Sequence, residues 1–304
     1  MKRFIIKIII ISLAVLIIFS AMNLAYINSD FFKTSMINWT RFKNVPGNLD
    51  IVNTGSSHAA SGIDYSILDN YNSRSFAAAG QTFQYDLKLL EQFSENFNEG
   101  GTVIIPISYL SFSKIDEDRQ KKQSLRYYRI LELNYIDDFN LSDYMLYKVF
   151  PILTSDKELI SAIKRYFQPK AKNASMADLT EEEIAAALEK NKTAYFDIYE
   201  FDPNQVKILG SIVEFVQAKG MTPVLITIPV SDVYTMLCTD EIMNDFYTSI
   251  EYIENEHEII YYDYGAHPDF ADHYDLFTNT SHLNDEGALT FSKMMFTDLG
   301  LLSD

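Results

Sequence analysis

A serine near the start of the chain and a histidine near its end are the residues best suited to catalysis. Ser57 follows Gly55 in the stretch 50–60 (DIVNTGSSHAA), where a short strand-like run ends in a glycine turn and leads into a predicted helix. A strand that delivers a serine through a tight turn exposes the hydroxyl at the carboxyl edge of a sheet, where open α/β sheets bind ligands. His282 lies in 279–291 (NTSHLNDEGALTF), just before the last predicted helix. A nucleophile early in the chain and a base late, brought together by folding, are typical of serine acyl chemistry.

Each of these residues also has a purely structural interpretation. Ser57 could cap the helix that follows it, since serine is a preferred N-cap residue. His282 could cap or pack against the last helix. His58 follows Ser57 directly and would point away from it, so we do not assign His58 as the base. The joint pattern, in this order and at this spacing, favours the catalytic interpretation.

A second group of polar residues lies at 267–273 (HPDFADH). Two histidines and two aspartates are close together there: His267, Asp269, Asp272 and His273. Such side chains could bind a metal, but their spacing matches no recognised zinc pattern. We therefore interpret the segment as a solvated acidic loop and predict no metal site.

Strand-like and helix-like segments alternate along the body of the chain. Continuous apolar runs at 102–107 and 222–230 are typical of strands buried on both faces of a parallel sheet. The predicted strands are 50–54, 73–79, 102–107, 222–230 and 258–264, and the predicted helices are 62–70, 83–97, 204–219, 231–256 and 284–299. The glycine pair at 100 and 101 is predicted to end the second helix. Five strands separated by helices predict a three-layer α/β/α domain with a mostly parallel five-stranded sheet.

The segment from about 113 to 200 interrupts this alternation. It is charged, rich in tyrosine and helical in pattern, and its clearest helix is 179–190, with Thr180 as the N-cap. Insertions at strand ends often shape substrate sites, and a plain structural cap is an equal alternative. We predict one domain over 28–304 that carries this segment as a helical insertion.

The N-terminus predicts a membrane anchor over residues 1–27. Residues 4–26 are almost wholly apolar, and about 20 apolar residues span a bilayer as a helix. A cleaved signal peptide is the alternative, but its apolar run is usually ~7–15 residues and an A-x-A-like site follows it; this sequence lacks such a site. Lys2, Arg3 and Lys7 favour a cytoplasmic N-terminus. We expect a single-pass protein at the cell membrane with an extracytoplasmic body.

The net charge bears on the kinds of partner that the chain can bind, and the cysteine content bears on its cellular compartment. The chain has 304 residues and a net charge of −17, which argues against nucleic acid as a partner because phosphate binding needs a basic surface. It argues equally against tight binding of the body to anionic lipid headgroups. The single cysteine, Cys238, excludes an intrachain disulfide, and export without disulfides fits a Gram-positive-type cell surface.

These motifs resemble those of the SGNH/GDSL hydrolase superfamily. The resemblance is carried by Gly55-Ser56-Ser57 after the first strand, Gly80 after the second, and His282 in a terminal S-H-L-N-x-x-G-A segment. More closely, the chain is similar to the membrane-anchored branch of D-alanyl transfer proteins and polysaccharide O-acetyltransferases. The resemblance implies that Ser57 is the nucleophile, His282 the base, and the Gly80 backbone N–H a donor to the oxyanion. Ser56 stands where the superfamily usually has aspartate.

The third sequence block departs from the superfamily pattern. Where its members usually have G-x-N-D, this chain has 106–109 (PISY), so the asparagine donor to the oxyanion is missing. Ser108 or Tyr109 could replace it with a hydroxyl. Alternatively, the backbone N–H groups of Ser57 and Gly80 could act alone.

The last block also departs, because members usually have D-x-x-H. Asn279 stands three residues before His282, where the acid of that motif is expected. Asp263 or Asp275 could supply the missing charge, the site could have lost hydrolysis, or Ser57 and His282 could work as a slow dyad. We favour the slow dyad.

The resemblance implies a cell-surface esterase or acyltransferase that acts on a cell-envelope polysaccharide or teichoic acid through a serine and a histidine. No metal or organic cofactor is expected, and a multi-pass membrane acyltransferase is the expected partner. The alternative is a catalytically inactive SGNH-like module that binds carbohydrate or scaffolds an assembly. Tyrosines in the insertion suit sugar stacking as well as ordinary packing: Tyr127, Tyr128, Tyr135, Tyr144 and Tyr147.

Overall fold

The computed structural model describes residues 2–29, 39–136, 139–154 and 175–302, so the predicted insertion at about 113–200 lies partly outside the described residues. The chain divides into two compact units. One comprises Met1–Lys43 and Lys121–Lys170, and the other comprises Asn44–Gln120 and Ala171–Asp304. The predicted insertion is divided between these units, since residues 121–170 belong with the N-terminal helix and residues 171–200 belong with the sheet. Composition, on which the predicted bounds depend, does not show which segments contact each other.

The second unit is built on a five-stranded sheet in which all neighbouring strands are parallel. The strands are β1 (Leu49–Asn53), β2 (Ser73–Ser75), β3 (Phe97–Ile107), β4 (Thr222–Thr227) and β5 (Tyr261–Asp263), in the spatial order β2-β1-β3-β4-β5. Parallel strands need crossover connections, which are usually helices. All five predicted strands are present, and the predicted fold class is confirmed.

One long helix precedes the first strand, and the other helices lie between the strands or after the last strand of the sheet. In chain order they are α1 (Lys2–Asn28), α2 (Ser57–Gly62), α3 (Phe83–Phe93), α4 (Glu117–Tyr127), α5 (Leu141–Tyr144), α6 (Glu181–Asn191), α7 (Pro203–Ala218), α8 (Asp232–Thr235), α9 (Asp240–His257), α10 (Pro268–Ala271) and α11 (Asp285–Asp298). A two-stranded antiparallel hairpin of β6 (Phe277–Asn279) and β7 (His282–Leu283) precedes α11.

Both faces of the sheet are buried. On one face, strand residues share a core cluster with residues of α11: Ile51, Ile104, Ile226, Phe291 and Phe296. Successive strand side chains alternate between faces, so the neighbouring strand residues point to the other side, where they are fully buried: Val52, Val103 and Leu225. α11 packs against α2, whereas α3 and α9 pack against α7, which also contacts β4. The unit is therefore a three-layer α/β/α arrangement.

α1 belongs to the other unit and matches the predicted anchor. It is 27 residues long, and its length and composition suffice to cross a membrane. Large apolar side chains are exposed along it, including Phe4, Leu13 and Leu24. The structure thus supports a membrane helix at the N-terminus, and the location of the body remains a prediction.

The glycine pair at 100 and 101 does not end a helix, as predicted, but lies inside β3. A Cβ atom on Gly101 would lie 2.7 Å from the backbone oxygen of Asp50 in β1. The register between β1 and β3 shifts at this point. Gly101 therefore permits a close approach at a β-bulge, which lets β3 begin at Phe97.

Other helix boundaries differ from prediction in instructive ways. The helix predicted over 62–70 begins at Ser57 instead, and a 3₁₀ turn at Tyr65–Ile67 follows it. The helix predicted over 231–256 is two helices, α8 and α9. Thr180 caps α6 as predicted, in a capping box with Glu183. The β6-β7 hairpin was not predicted, since strands of two and three residues are too short to show a periodic pattern.

Candidate active site

The structure brings Ser57 and His282 together at the carboxyl edge of the sheet. Ser57 is the first residue of α2, directly after β1 and its turn. The Oγ atom of Ser57 lies 2.8 Å from Nε2 of His282, although the residues are 225 positions apart in the chain. The two side chains are therefore within hydrogen-bond reach, as a nucleophile and its base must be.

The turn before Ser57 requires glycine. Gly55 has a φ of +109°, in the left-handed region that side chains disfavour. A Cβ atom there would also lie 3.0 Å from the Cβ of Ala59 in α2. A substitution of Gly55 would therefore change the direction in which the chain presents Ser57.

Ser56, not Ser57, occupies the N-cap position of α2, and its side chain makes no capping hydrogen bond. The interpretation of Ser57 as a helix cap is therefore wrong. The Ser57 hydroxyl is bonded to His282 rather than to its own helix.

His282 is held by the β6-β7 hairpin, in which it pairs with Asn279. Nδ1 of His282 lies 3.0 Å from Oδ1 of Asn279 and 3.0 Å from the Ser281 hydroxyl. An amide oxygen only accepts, so we assign the ring proton to Nδ1, which leaves Nε2 free to accept the proton of Ser57. Burial lowers the pKa of His282 below its usual 6.5. The imidazole is therefore neutral at pH 7 and able to act as a base.

The hairpin tip is fixed by residues from two distant segments. Ser231, at the N-cap of α8 after β4, is fully buried, and its hydroxyl donates to the Thr280 backbone oxygen at 2.6 Å. Asn191, the last residue of α6, donates through Nδ2 to the Thr280 hydroxyl at 3.1 Å. α6 lies in the predicted insertion, so the insertion contributes directly to the position of the His282 hairpin.

The two aspartates considered as sources of charge make other contacts. Asp263 accepts hydrogen bonds from the Tyr247 hydroxyl at 2.7 Å and from the Gly265 N–H at 3.0 Å. Asp275 lies 4.0 Å from Nδ1 of His273. The structure thus places Asn279, and neither aspartate, against His282.

The predicted oxyanion donors differ in where the structure places them. Gly80 has a φ of +70°. The residues just before it are joined to the turn that precedes Ser57, since the Ala78 N–H donates to the Gly55 oxygen at 3.0 Å. Within the described parts of the chain, the N–H groups of Ser57 and Gly80 donate to no protein oxygen. Both groups are therefore available to a ligand oxygen.

Ser108 and Tyr109 make contacts with residues other than Ser57. The Ser108 hydroxyl lies 3.2 Å from that of Ser111. Tyr109 is buried, its ring meets Phe246 of α9 edge-on, and its hydroxyl occupies the space where a Cβ on Gly265 would stand. The structure does not bring either hydroxyl to Ser57, so of the predicted donors the backbone N–H groups of Ser57 and Gly80 are the ones left as candidates.

Sequence reasoning missed a buried carboxyl group behind the nucleophile turn. Asp86 of α3 is 1% exposed, and its Oδ1 accepts from the Gly55 N–H at 2.9 Å and from Nε2 of Gln81 at 2.6 Å. Burial raises the pKa of Asp86 from 3.8 to about 6, against the opposing effect of these two hydrogen bonds. Asp86 thus joins the turn before Ser57 to the loop that carries Gly80.

A signal for Asp86 was present in the sequence. Phe83, Asp86 and Leu90 are spaced at i, i+3 and i+7, so they share one helix face. An acid on the apolar face of an amphipathic helix needs a buried partner. The partner itself, a backbone N–H at the end of β1, is a tertiary contact that spacing does not reveal.

The ring of His58 lies against the ring of His282. The ring centroids are 4.6 Å apart and the ring planes are inclined by 30°. Burial, with a smaller effect of His282, lowers the pKa of His58 to about 3. His58 is therefore neutral and covers one face of the presumed base.

The histidines at 267–273 have local roles. His267 is the N-cap of α10, and its Nδ1 accepts from the Asp269 N–H at 3.2 Å. Among the residues that the structure describes, no group of three or more His, Cys, Asp or Glu side chains could hold a metal ion.

No family model and no curated protein matches this chain. Among solved structures, it is similar to a protein from Bacillus subtilis, with 13% identity over 84% of this chain and 58% of that one, at a TM-score of 0.43. It is also similar to a catalytic mutant of an acetylxylan esterase from Geobacillus stearothermophilus (11% identity, 86% and 99% of the two chains, TM-score 0.39). A third is an α/β hydrolase from the metagenome of Lake Arreo, Spain (11% identity, 85% and 98%, TM-score 0.39). Structures with so little similarity do not show what this chain does, so its function is inferred from the residues of the site.

Proposed function

We propose that this protein is a serine esterase or acyltransferase of SGNH-like type. The observation that supports the proposal is the 2.8 Å contact between the Ser57 hydroxyl and Nε2 of His282. Nδ1 of the same ring faces the Asn279 oxygen, which leaves Nε2 as the proton acceptor. A serine hydroxyl next to an unprotonated imidazole is the arrangement that nucleophilic acyl transfer requires.

The reaction would proceed in two steps on this geometry. Ser57 Oγ attacks the acyl carbonyl carbon as its proton passes to Nε2 of His282, and the Ser57 and Gly80 N–H groups bind the oxyanion. His282 then returns the proton to the departing alcohol, which leaves an acyl-enzyme on Ser57. In the second step a hydroxyl of the acceptor attacks this ester and gives its proton to His282, and Ser57 is released with its proton restored.

The neutral Asn279 favours transfer to a bound hydroxyl over hydrolysis. In trypsin-like proteases, replacement of the charged partner of the histidine by asparagine costs about 10⁴ in kcat, largely through the wrong tautomer of the histidine. Here the Asn279 oxygen faces Nδ1, so the tautomer is kept and only the charge is missing. A base of this kind activates water poorly, whereas a well-positioned acceptor hydroxyl gains much of its rate from proximity. We therefore propose a slow dyad that transfers an acyl group.

The proposed acceptor is a cell-envelope polysaccharide or teichoic acid. α1 has the length and composition of a membrane anchor. The basic residues Lys2, Arg3 and Lys7 favour a cytoplasmic N-terminus, and therefore an extracytoplasmic body. The proposed source of acyl groups is a multi-pass membrane acyltransferase, as in the membrane-anchored proteins that the sequence resembles.

A catalytically inactive carbohydrate-binding or scaffolding module is the second candidate. Two observations favour it: the partner of His282 is uncharged, and the Ser108 hydroxyl lies against Ser111 and the Tyr109 hydroxyl against Gly265. Each missing oxyanion donor costs about 10²–10³ in rate. This candidate predicts polymer binding without any reaction at Ser57.

A serine-directed fluorophosphonate probe distinguishes the two candidates. The wild-type protein should be labelled covalently, and Ser57→Ala should abolish labelling. Ser56→Ala is the matched control, because Ser56 is the adjacent serine and makes no capping hydrogen bond. It should label at the wild-type rate.

Three results would contradict the enzyme proposal in different ways. Labelling that survives Ser57→Ala and disappears in Ser56→Ala would show that the wrong serine is assigned. Labelling that survives His282→Ala unchanged would show that Ser57 has no base. An unlabelled wild-type protein that binds envelope polymer would favour the inactive module.

A further inference from the structure

A short segment of the unit that contains α1 carries four exposed apolar side chains at a regular spacing in the sequence. The segment begins with α5, continues as a π-helical turn at Met145–Val149 and ends in a 3₁₀ turn at Pro151–Thr154. Four of its apolar residues recur every four positions: Leu141 (65% exposed), Met145 (40%), Val149 (38%) and Leu153 (54%). We call these four residues the apolar row. A regular exposed row of this kind is typical of a surface that is covered in the working protein.

The same segment contacts the far end of α1 by specific bonds. Nδ2 of Asn23 donates to the Val149 backbone oxygen at 3.0 Å, and the Ile152 N–H donates to Oδ1 of Asn23 at 3.3 Å. The rings of Phe19 and Phe150 are 5.6 Å apart. Asn23 is 8% exposed, so this segment satisfies both ends of its side-chain amide.

The position of Asn23 along α1 fixes the depth of this contact. The apolar stretch begins at Phe4, and at about 1.5 Å per residue Asn23 lies about 29 Å along the helix from it. The hydrocarbon core of a bilayer is about 30 Å thick. Asn23 is therefore at the boundary between hydrocarbon and headgroups, where an unpaired amide would be costly. The segment that pairs it must lie at the same level.

We propose that the segment 141–154 rests at the boundary between lipid headgroups and acyl chains, with the apolar row inserted among the acyl chains. Its contact with α1 places it at the level where interfacial helices bury an apolar face. Lys148, which is exposed beside the row, can extend its charged end toward the headgroups. The protein would thus have a second, non-spanning attachment to the bilayer in addition to α1.

Lipid-quenched fluorescence of the full-length protein tests this proposal. In a Cys238→Ser background, single cysteines at Leu141→Cys and Leu153→Cys carry an environment-sensitive nitrobenzoxadiazole label. The protein is reconstituted in phosphatidylcholine vesicles with and without spin-labelled lipid. Uncharged vesicles are used because a net charge of −17 would disfavour anionic ones for unrelated reasons.

Two further positions act as references. Leu13→Cys lies within α1 and is 57% exposed, and Ile198→Cys, in the other unit, is 63% exposed, close to Leu141 at 65%. We expect the labels at 141, 153 and 13 to be quenched by spin-labelled lipid at least twofold more than the label at 198. Circular dichroism melting of each variant establishes that it is folded.

Each of the remaining outcomes overturns the proposal. Quenching at 13 alone would show that α1 crosses the bilayer while the apolar row faces water. Blue-shifted emission at 141 and 153 without lipid quenching would show that a protein surface, such as a second copy of this chain, covers the row. Equal quenching at 198 would show general adsorption, and no quenching at 13 would show that α1 is not embedded. These results do not depend on whether Ser57 reacts.

Discussion

Nδ1 of His282 lies 3.0 Å from the side-chain oxygen of Asn279. An amide in this position orients the imidazole as a carboxylate would, because its oxygen accepts the Nδ1 proton. It cannot stabilise the imidazolium that forms when Ser57 gives up its proton. The geometry of a catalytic triad is therefore present without the negative charge of one.

Asn279→Asp should increase turnover of a small activated ester by at least tenfold. The change adds a negative charge at a position that already has the required geometry, so the imidazolium that forms as Ser57 attacks gains electrostatic stabilisation. Initial-rate measurements of wild type and variant with a nitrophenyl ester provide the comparison.

Asp263→Asn and Asp275→Asn are the controls for the Asn279 prediction. Their carboxylates contact Tyr247 and His273 rather than His282, so both variants should keep the wild-type rate. If either one abolishes turnover while Asn279→Asp has no effect, the acid that supports His282 lies outside the dyad described here.

The acid limb of the pH–rate profile should lie below pH 6.5. The base must be neutral to accept the Ser57 proton, and burial lowers the pKa of His282 below that value. The neutral fraction, and with it kcat/KM, should therefore persist at a lower pH than an exposed histidine would allow. Measurement of kcat/KM from pH 4.5 to 8 tests this, and a midpoint at or above 6.5 would contradict the burial of the base.

The elements of the sheet and the pair Ser57–His282 were predictable because each has a local signal. A strand, a glycine turn and a serine are contiguous in sequence, and the apolar runs of β3 and β4 mark a parallel sheet by themselves. The side chain of His58 was predicted to point away from Ser57. Its contact with His282 was not predictable, because it depends on where the distant hairpin folds. The hairpin itself is held by Ser231 and Asn191. Contacts between segments so far apart in the chain produce no periodic pattern in the sequence.

The donors to the oxyanion show a different limit of sequence reasoning. Ser108 and Tyr109 follow β3, where the superfamily pattern places a donor, and both carry a hydroxyl. Position in the chain did not determine the direction of either side chain. Tyr109 packs against Phe246 of α9, because a large ring at a strand end is more stable when buried.

Asp86→Asn should stabilise the protein more at pH 7 than at pH 4.5. The folded protein holds the pKa of Asp86 at about 6, against a usual value of 3.8. The contribution of this group to stability is therefore fully present below pH 3.8 and is lost as the pH rises through about 6. The full effect, from below pH 3.8 to well above pH 6, corresponds to roughly 3 kcal/mol at about 1.4 kcal/mol per pKa unit, and about 2 kcal/mol of it falls between pH 4.5 and pH 7. Asparagine removes that pH-dependent cost and keeps an oxygen for the Gly55 N–H.

Thermal melting at several pH values measures the Asp86 effect. The gap in Tm between Asp86→Asn and wild type should widen by several degrees from pH 4.5 to pH 7. Asp69→Asn is the control, because it changes the net charge equally at an exposed position and should show a constant gap. A constant gap for Asp86→Asn as well would mean that its carboxyl group titrates normally.

Ser231→Ala and Asn191→Ala should each slow fluorophosphonate labelling of Ser57. Both side chains bond to Thr280, at the tip of the hairpin that carries Asn279 and His282. Loss of either bond should cost about 1 kcal/mol of stability and let His282 move away from Ser57. Because reactivity depends on their 2.8 Å contact, we expect the labelling rate to fall several-fold.

Ser211→Ala separates this effect from a general loss of stability. The Ser211 hydroxyl donates to the Lys207 backbone oxygen within α7, far in sequence from the hairpin, so its loss should leave labelling unchanged. A double variant, Ser231→Ala with Asn191→Ala, should label more slowly than either single variant, since the two bonds hold the same residue. If Asn191→Ala lowers the melting temperature but not the labelling rate, α6 supports the fold alone, and the insertion has no part in positioning His282.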